Sequence, residues 1–434
     1  MPAVVTDVTD VPTSATARIA ARARRSRSVL PLAVCLLYVV FQLVAGPRWT
    51  MFPDSYRYAR AAEQYLGASR EEAHHTALAA FCASRADRAA HDERLRPTVP
   101  ESGPALKAAA ERACLDRWTD APDITTGDPR YQAIFSGRPG YPLLAAPFVG
   151  ALGVLRGMRL LGVLLAAGGS LLVLGLLGSA GLNRRAAVVG QVAFLATPLG
   201  WWSVQALGEG LFTACVLCVL WGGVLLGRRS MVKGTALVAL GYVAGGVTRY
   251  SSVLVLATAL GAAATWALCR HRASRHRGTA VLLVSSAAAA AGVVAAMRML
   301  GLASSQVTLQ DTFTHHFDTP EIADPWSALL DLAARFGRDW SAQQAGLPYF
   351  LVLTALAAWA LVRYGNGLGP LALATALTGA CVVAAHPLVQ EADRLGVLMW
   401  TPVILGLPLL VDRHWSPVPV TALEDGRAGA GESR

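Results

Sequence analysis

The chain has 434 residues, 54% of them hydrophobic and only 15% charged, with a mean hydropathy of +0.44. A water-soluble protein of this length needs more charge to cover its surface, so the composition argues against soluble classes and for an integral membrane protein. The net charge is +10, but the arginines sit between apolar runs. That pattern fits loop topology and lipid headgroups rather than a nucleic-acid surface.

In chain order, residues 1–27 are polar and end in an arginine-rich stretch, and the tails 1–17 and 416–434 have the composition of disordered segments. The run 28–46 is apolar and long, and reads as a retained first span rather than a cleaved leader. Further spans are expected near 158–179, 186–203, 208–227, 232–247, 250–269, 279–300, 348–363, 368–386 and 396–411. That makes an all-α fold of about ten transmembrane helices. Between the first two spans, 55–66, 70–90 and 104–117 are rich in helix formers, with breaks at Gly67, Pro97, Pro100 and Gly103. Segment 118–130 has loop chemistry.

Segment 141–155 is apolar but short, and charge decides its placement. If it lies along the membrane surface, sixteen basic residues gather on one side. They are Arg18, Arg22, Arg24, Arg25, Arg27, Arg184, Arg185, Arg228, Arg229, Lys233, Arg270, Arg272, Arg275, Arg277, Arg363 and Arg413. If it spans, the loops from 184 to 277 move outside with their charge, against the positive-inside rule. The expectation is therefore a plasma-membrane protein with cytoplasmic termini (1–27 and 413–434) and a membrane domain over 28–412. Segment 141–155 is then a juxtamembrane helix. The outer side carries 47–157 and a second loop, 301–347. Residues 48–140 hold 13 basic and 13 acidic residues. Cys82 and Cys114 both lie there, where a disulfide is chemically permitted. Cys35, Cys215, Cys218, Cys269 and Cys381 fall in apolar runs and read as packing residues.

Asp54, just past the first span in Pro53-Asp54-Ser55-Tyr56-Arg57-Tyr58, could act as a general base or cap the next helix. Arg138 opens the juxtamembrane helix before Pro139, Gly140 and Tyr141; its fork of donors suits phosphate, or it anchors the interface. Glu209 opens a span after Trp201-Trp202. Arg249 lies in a very tight turn, and Glu391, Asp393 and Arg394 precede the last span. Ionisable groups at such depth are functional candidates, while Glu209 with Arg249 also makes a plausible structural ion pair. Glu391 and Asp393 have the spacing of a weak metal-binding pair. His315, His316 and Asp318 suit a solvated loop better than a metal, and His386 before Pro387 has a structural reading. No phosphate-binding glycine loop, dinucleotide fingerprint, nucleophile elbow or CxxC pair is present.

These features resemble the C-type glycosyltransferase superfamily, membrane enzymes that use polyprenyl-phosphate-linked sugars, such as protein mannosyltransferases, the aminoarabinose transferase and arabinofuranosyltransferases. The likeness rests on Pro53-Asp54-Ser55-Tyr56, Arg138-Pro139-Gly140-Tyr141-Pro142, Ala206-Leu207-Gly208-Glu209, Thr248-Arg249-Tyr250 and Asp393-Arg394-Leu395. It implies inverting transfer to an extracytoplasmic hydroxyl, with Asp54 as base and Glu209, also catalytic, orienting Asp54, the sugar or the acceptor. Arg138, Arg249 and Arg394 would hold the donor phosphate, and Tyr58, Tyr141, Glu391 and Asp393 would face the substrates. The expected partners are a polyprenyl-phosphate sugar, a glycan, lipid or protein acceptor, and membrane lipids, with no nucleic acid. No organic cofactor is implied, and a divalent metal stays open. The rival readings are a transporter or lipid flippase, an outer-face polymer ligase or acyltransferase, and a non-enzymatic subunit.

Overall fold

A computed structural model describes residues 14–44, 49–94, 103–125, 127–270, 276–365 and 367–415. Every regular element among the described residues is a helix. Residues 1–13, Pro97, Pro100, Arg272, Arg275 and the tail 416–434 lie outside them.

Helix α1 (Ser14–Val44) begins inside the tail 1–17 that composition assigns to disorder and runs through the polar stretch to 27. Its alanines and arginines are strong helix formers, and the helix continues unbroken into the apolar run. The polar insert then forms α2 (Pro53–Tyr65), α3 (Arg70–Arg94), α4 (Gly103–Trp118) and α5 (Pro129–Ser136), followed by the apolar α6 (Gly140–Leu152). The three helices expected from composition are α2, α3 and α4. Gly67, at φ +98°, ends the α2 turn. Ser69 and Glu72 then start α3 with a reciprocal cap: the Ser69 N–H donates to Glu72 Oε2 (2.9 Å) and the Glu72 N–H to Ser69 Oγ (3.2 Å). Cys82 and Cys114 are joined, tying α3 to α4 across 32 residues. Gly153, at φ +75°, separates α6 from α7 (Val154–Ser179), so α6 stands as a short helix of its own.

Beyond α7 come α8 (Arg184–Ala196), α9 (Pro198–Val204), α10 (Gly208–Gly227), α11 (Met231–Arg270), α12 (Arg277–Met299), α13 (Ser305–Phe313) and α14 (Pro325–Gly346). The chain closes with α15 (Tyr349–Tyr364), α16 (Leu368–Ala385), a 3-10 turn at Val389–Glu391, α17 (Ala392–Leu395), a second 3-10 turn at Val397–Trp400, and α18 (Thr401–Trp415). Among the described residues six helices are long and apolar enough to cross a membrane. The number rises to eight if the bent pairs α8–α9 (57°) and α14–α15 (87°) each count as one span. That is fewer than the ten expected, because α11 is counted once and the apolar part of α1, Val29–Val44, is short.

The 40-residue α11 is not straight. Arg249 has φ −151° and ψ 73°, outside the helical region. Tyr242 hydrogen-bonds Ser286 Oγ through its hydroxyl (2.8 Å), and a Cβ on Gly261 would lie 3.6 Å from the Cβ of the same Ser286. Nineteen residues of straight helix would hold Tyr242 and Gly261 about 28 Å apart. The chain therefore folds back at Arg249, into two antiparallel arms. The first arm runs against α10, with Gly241 on the Cys215 carbonyl and Gly234 on that of Gly222.

This reversal gives the bundle two ends. At one end the Asn183 N–H donates to Asp412 (2.7 Å), Gly181 meets the Arg228 guanidinium, and Gly278 touches the Leu226 carbonyl. The Arg249 turn lies at the other end, together with α2 and the start of α6: Gly140 presses on Val247 and Thr248, and Gly137 meets the Tyr250 ring. Two apolar cores follow this division. One fills the bundle around Leu220, Leu260 and Ile404, and one joins the insert to α6 and α7 through Tyr56, Leu78, Tyr141 and Met158.

Helix α9 packs on α7 at backbone distance. A Cβ on Gly162 would lie 2.0 Å from the Val204 carbonyl oxygen, whereas one on Gly168 would meet nothing within 4 Å. Gly162→Val should therefore cost about 1–3 kcal/mol or more and lower the thermal midpoint in detergent, while Gly168→Ala should leave it unchanged. Equal midpoints for both variants would refute the α7–α9 contact.

Candidate active site

The first turn of α2 presents Asp54, and its start explains why that side chain is available. The helix begins at Pro53, with Phe52 in the capping position, and the Phe52 N–H donates to Ser55 Oγ (2.9 Å). Asp54 is thus one position too far along to cap the helix, which corrects the capping expectation. Its carboxylate turns instead to arginines: Arg394 Nη2 lies 3.3 Å from Oδ2, and Arg57 Nη1 3.8 Å from Oδ1.

Glu209 opens α10 and is 2% exposed. Its Oε1 accepts from Arg249 Nη2 (3.1 Å) and lies 3.3 Å from Arg394 Nε, too poorly aligned there for a hydrogen bond. The pairing of Glu209 with Arg249 expected from sequence is therefore present, and Arg394 joins it to Asp54. Glu391 adds a third carboxylate, 3.4 Å from Arg394 Nη2. Asp393 is exposed and makes no ion pair among the described residues, because the α17 turn carries it away from Arg394's side.

Arg138 lies in the link between α5 and α6, with Nε buried and without a hydrogen-bond partner. Its charge reaches Asp54, Tyr58 and Tyr250. Tyr58 and Tyr141 are buried, with ring centroids 5.2 Å apart. A Cβ on Gly208 would come 3.5 Å from the Tyr58 hydroxyl, so that hydroxyl lies beside the start of α10. Burial, with Asp54 and Glu209 nearby, pushes the Tyr58 hydroxyl up to about 12. Tyr141 is pushed up as well, by burial first, and its hydroxyl has no partner. Neither phenol is a proton donor of ordinary acidity.

Sequence reading gave no role to a second layer. Arg57 is 3% exposed and packs over the rings of Phe135 (4.4 Å) and Tyr131 (4.8 Å). Its Nη2 donates to Asp123 Oδ1 (3.1 Å) and to Thr125 Oγ1, while Nε and Nη1 are buried without a hydrogen bond, Nη1 facing Asp54. Asp123 also takes Arg60 at 3.1 Å and the Gln132 amide at 3.3 Å. The available signal was the three-residue spacing of Asp54 and Arg57 on one helix face. Asp123 sits in segment 118–130, which local composition marks only as loop.

Of the other candidates, His386 lies close enough to Glu391 and Arg394 to feel their charge. His316 pairs with Asp311 (3.0 Å) and packs on Tyr131, Asp318 is exposed, and His386 shares a hydrogen bond with Thr312 (2.9 Å). Among the described residues no three His, Cys, Asp or Glu come together as metal ligands would. A cavity of about 300 Å³ lies beside the cluster rather than in it, between Thr50–Pro53 and the α3 residues Arg85, Arg88, Ala89 and Asp92.

Asp54, Asp123, Glu209 and Glu391 thus face Arg57, Arg60, Arg138, Arg249 and Arg394. An ionised carboxylate beside unpartnered guanidinium donors can take a proton from a hydroxyl and accommodate a singly charged phosphate. Burial alone would raise the Asp54 pKa, but Arg394, Arg57, Arg138 and Arg249 outweigh it and hold the carboxyl below its ordinary value of 3.8. A carboxyl lowered on folding stabilises the fold in full above its unfolded pKa, and the contribution is lost as pH falls towards the folded value. Thermal midpoints of wild type and Asp54→Asn should therefore differ by a constant amount at neutral pH and converge below about pH 4. A gap that widens in acid would contradict the assigned direction. Compared with models of known protein families, with curated proteins and with solved structures, the chain matches none.

Proposed function

We propose that the chain is a membrane glycosyltransferase that moves a sugar from a polyprenyl-phosphate donor to an acceptor hydroxyl, with inversion. The observation that carries this reading is the convergence of Asp54 and Glu209 with Arg138, Arg249 and Arg394 at one end of an apolar bundle. A glycosyl phosphodiester carries one negative charge, and the buried Arg138 Nε has no hydrogen-bond partner of its own. Asp54 takes the acceptor proton while the acceptor oxygen bonds to the anomeric carbon. The bond from that carbon to the phosphate oxygen breaks, and the lipid phosphate leaves with the electron pair. Arg138, with its unpartnered Nε, holds that phosphate, and Arg249 and Arg394 offset the charge that develops on it. Glu209 keeps both of these arginines in place.

On the same reading the membrane domain has ten spans. Dividing α11 at Arg249 and adding α1 to the eight candidates gives that number. The basic residues Arg184, Arg185, Arg228, Arg229, Arg270, Arg363 and Arg413 flank the helix ends opposite the cluster, which under the positive-inside rule supports an extracytoplasmic cluster. The Cys82–Cys114 bond suits an oxidising outer side. A transporter would draw on broken spans, but the break between α8 and α9 falls at Thr197-Pro198, with no charged side chain there.

Membranes carrying the wild-type chain should release polyprenyl phosphate from one member of a panel of polyprenyl-phosphate sugars when native envelope acceptors are present. Asp54→Asn, at equal protein level, should reduce release at least a hundredfold. Undiminished turnover in the variant would remove Asp54 as base, and no turnover with any donor would remove the reading. Cys114 should resist a membrane-impermeant maleimide on intact cells until a reductant is added, then label. Labelling only after the membrane is opened would reverse the orientation.

A further inference from the structure

Helix α14 lies where a protein-packed helix is not needed. It meets α15 at 87°, so if α15 crosses the bilayer, α14 runs along its surface. Its apolar side chains Trp326, Leu329, Leu330, Ala333, Phe336 and Trp340 recur at three- and four-residue steps, with the half-buried Leu332 about 40° beyond Phe336 on the protein-facing edge. At 100° per residue the first six fall within an arc of about 120°. Asp331, Arg335, Arg338 and Asp339 occupy the opposite arc.

Only one edge of the apolar stripe is used by the protein. Trp340 packs on Phe350 with ring centroids 6.1 Å apart and stacks on Phe336 at 6.4 Å. At the other edge Trp326 is 61% exposed and Leu330 71%. Beyond the bend, Leu347, Tyr349, Leu351 and Val352 are exposed as well. An apolar edge bordered by a charged face, on a helix set at 87° to a candidate span, has the form of a helix lying in the membrane–water interface. Helix α14 also packs against the Val389–Glu391 turn, whose Glu391 pairs with Arg394.

We infer that α14 is an interfacial helix, with Trp326 and Leu330 seated in the lipid surface and its other edge bracing the turn that carries Glu391. The inference stands apart from glycosyl transfer and depends only on membrane insertion.

Single nitroxide labels test it on the full chain in lipid nanodiscs, with the exposed Cys269 and Cys381 and the half-buried Cys218 replaced by serine. Labels at Trp326→Cys, Leu330→Cys and Ala334→Cys are compared with labels at Asp331→Cys and Arg335→Cys, each in protein with an unchanged thermal midpoint. Positions 326 and 330 should collide more with oxygen than with a water-soluble nickel chelate, and 331 and 335 the reverse, with 334 intermediate. The proposal is overturned if 326 and 330 are open to the nickel chelate, which would place them in water. It is equally overturned if they are closed to both reagents, which would mean that protein, such as a second copy of the chain, covers them.

Discussion

Arg394 bridges two carboxylates that belong to different parts of the chain, and the architecture at this end of the bundle depends on it. Glu209 is almost wholly buried at the mouth of an apolar helix, where an unpaired charge costs several kcal/mol. Asp54 stands on the polar insert, only 23% exposed. One guanidinium reaching both, with Arg249 closing the other side of Glu209, makes the positions of α2, α10, the α11 turn and α17 mutually dependent. The close approaches serve the same end. Gly140 lets the start of α6 press on the Val247–Thr248 backbone, and this draws Arg138 to the cluster. A side chain at that position would push the arginine away from the carboxylate whose ionisation it supports.

The insert solves a related problem by itself. It carries balanced charge, and much of that charge is spent internally. Arg57 and Arg60 converge on Asp123, Lys107 reaches Asp87, and Arg88 lies near Asp92. The Asp123 pairs are buried and directional, whereas the exposed ones contribute little. With α3 and α4 joined at Cys82–Cys114, the insert holds its own shape, and α2 offers Asp54 from a fixed base rather than from a mobile loop.

Much of this was legible in the sequence because its signals are local. Helix formers and glycine breaks located α2, α3 and α4. The short apolar run with two prolines marked α6. Arg249 between two apolar stretches marked the reversal that a 40-residue helix conceals, and the depth of Glu209 and Arg249 announced their pairing. The illegible parts depend on geometry. The one-residue difference between capping a helix and facing a site, which sends the cap to Phe52 and Ser55 and frees Asp54, cannot be read from the string Pro53-Asp54-Ser55. Asp123 looks like any turn aspartate until α2 is folded over it. Asp393 and Arg394 are neighbours in sequence, but the α17 turn separates them, so one faces solvent and the other the cluster. The 87° turn into α14 has only Leu347-Pro348 as its local sign, and α14's open face is defined by which neighbours it lacks.

The arrangement also constrains how the proposed chemistry would run. A carboxylate held below its ordinary pKa by four arginines is secure in its charge and, for the same reason, a weak base. The same arginines that keep Asp54 ionised are those a donor phosphate would engage. A phosphate oxygen that takes Arg138 and shares Arg394 withdraws part of their field from Asp54, so its basicity rises only when donor is present. On the proposed reading the resting site would not deprotonate hydroxyls, and the acceptor would be activated only in the complex where the leaving group is already held. Glu209 is the element that makes this exchange possible. It keeps Arg249 and part of Arg394 anchored while the rest of the guanidinium changes partners, so the cluster need not open for Asp54 to gain basicity.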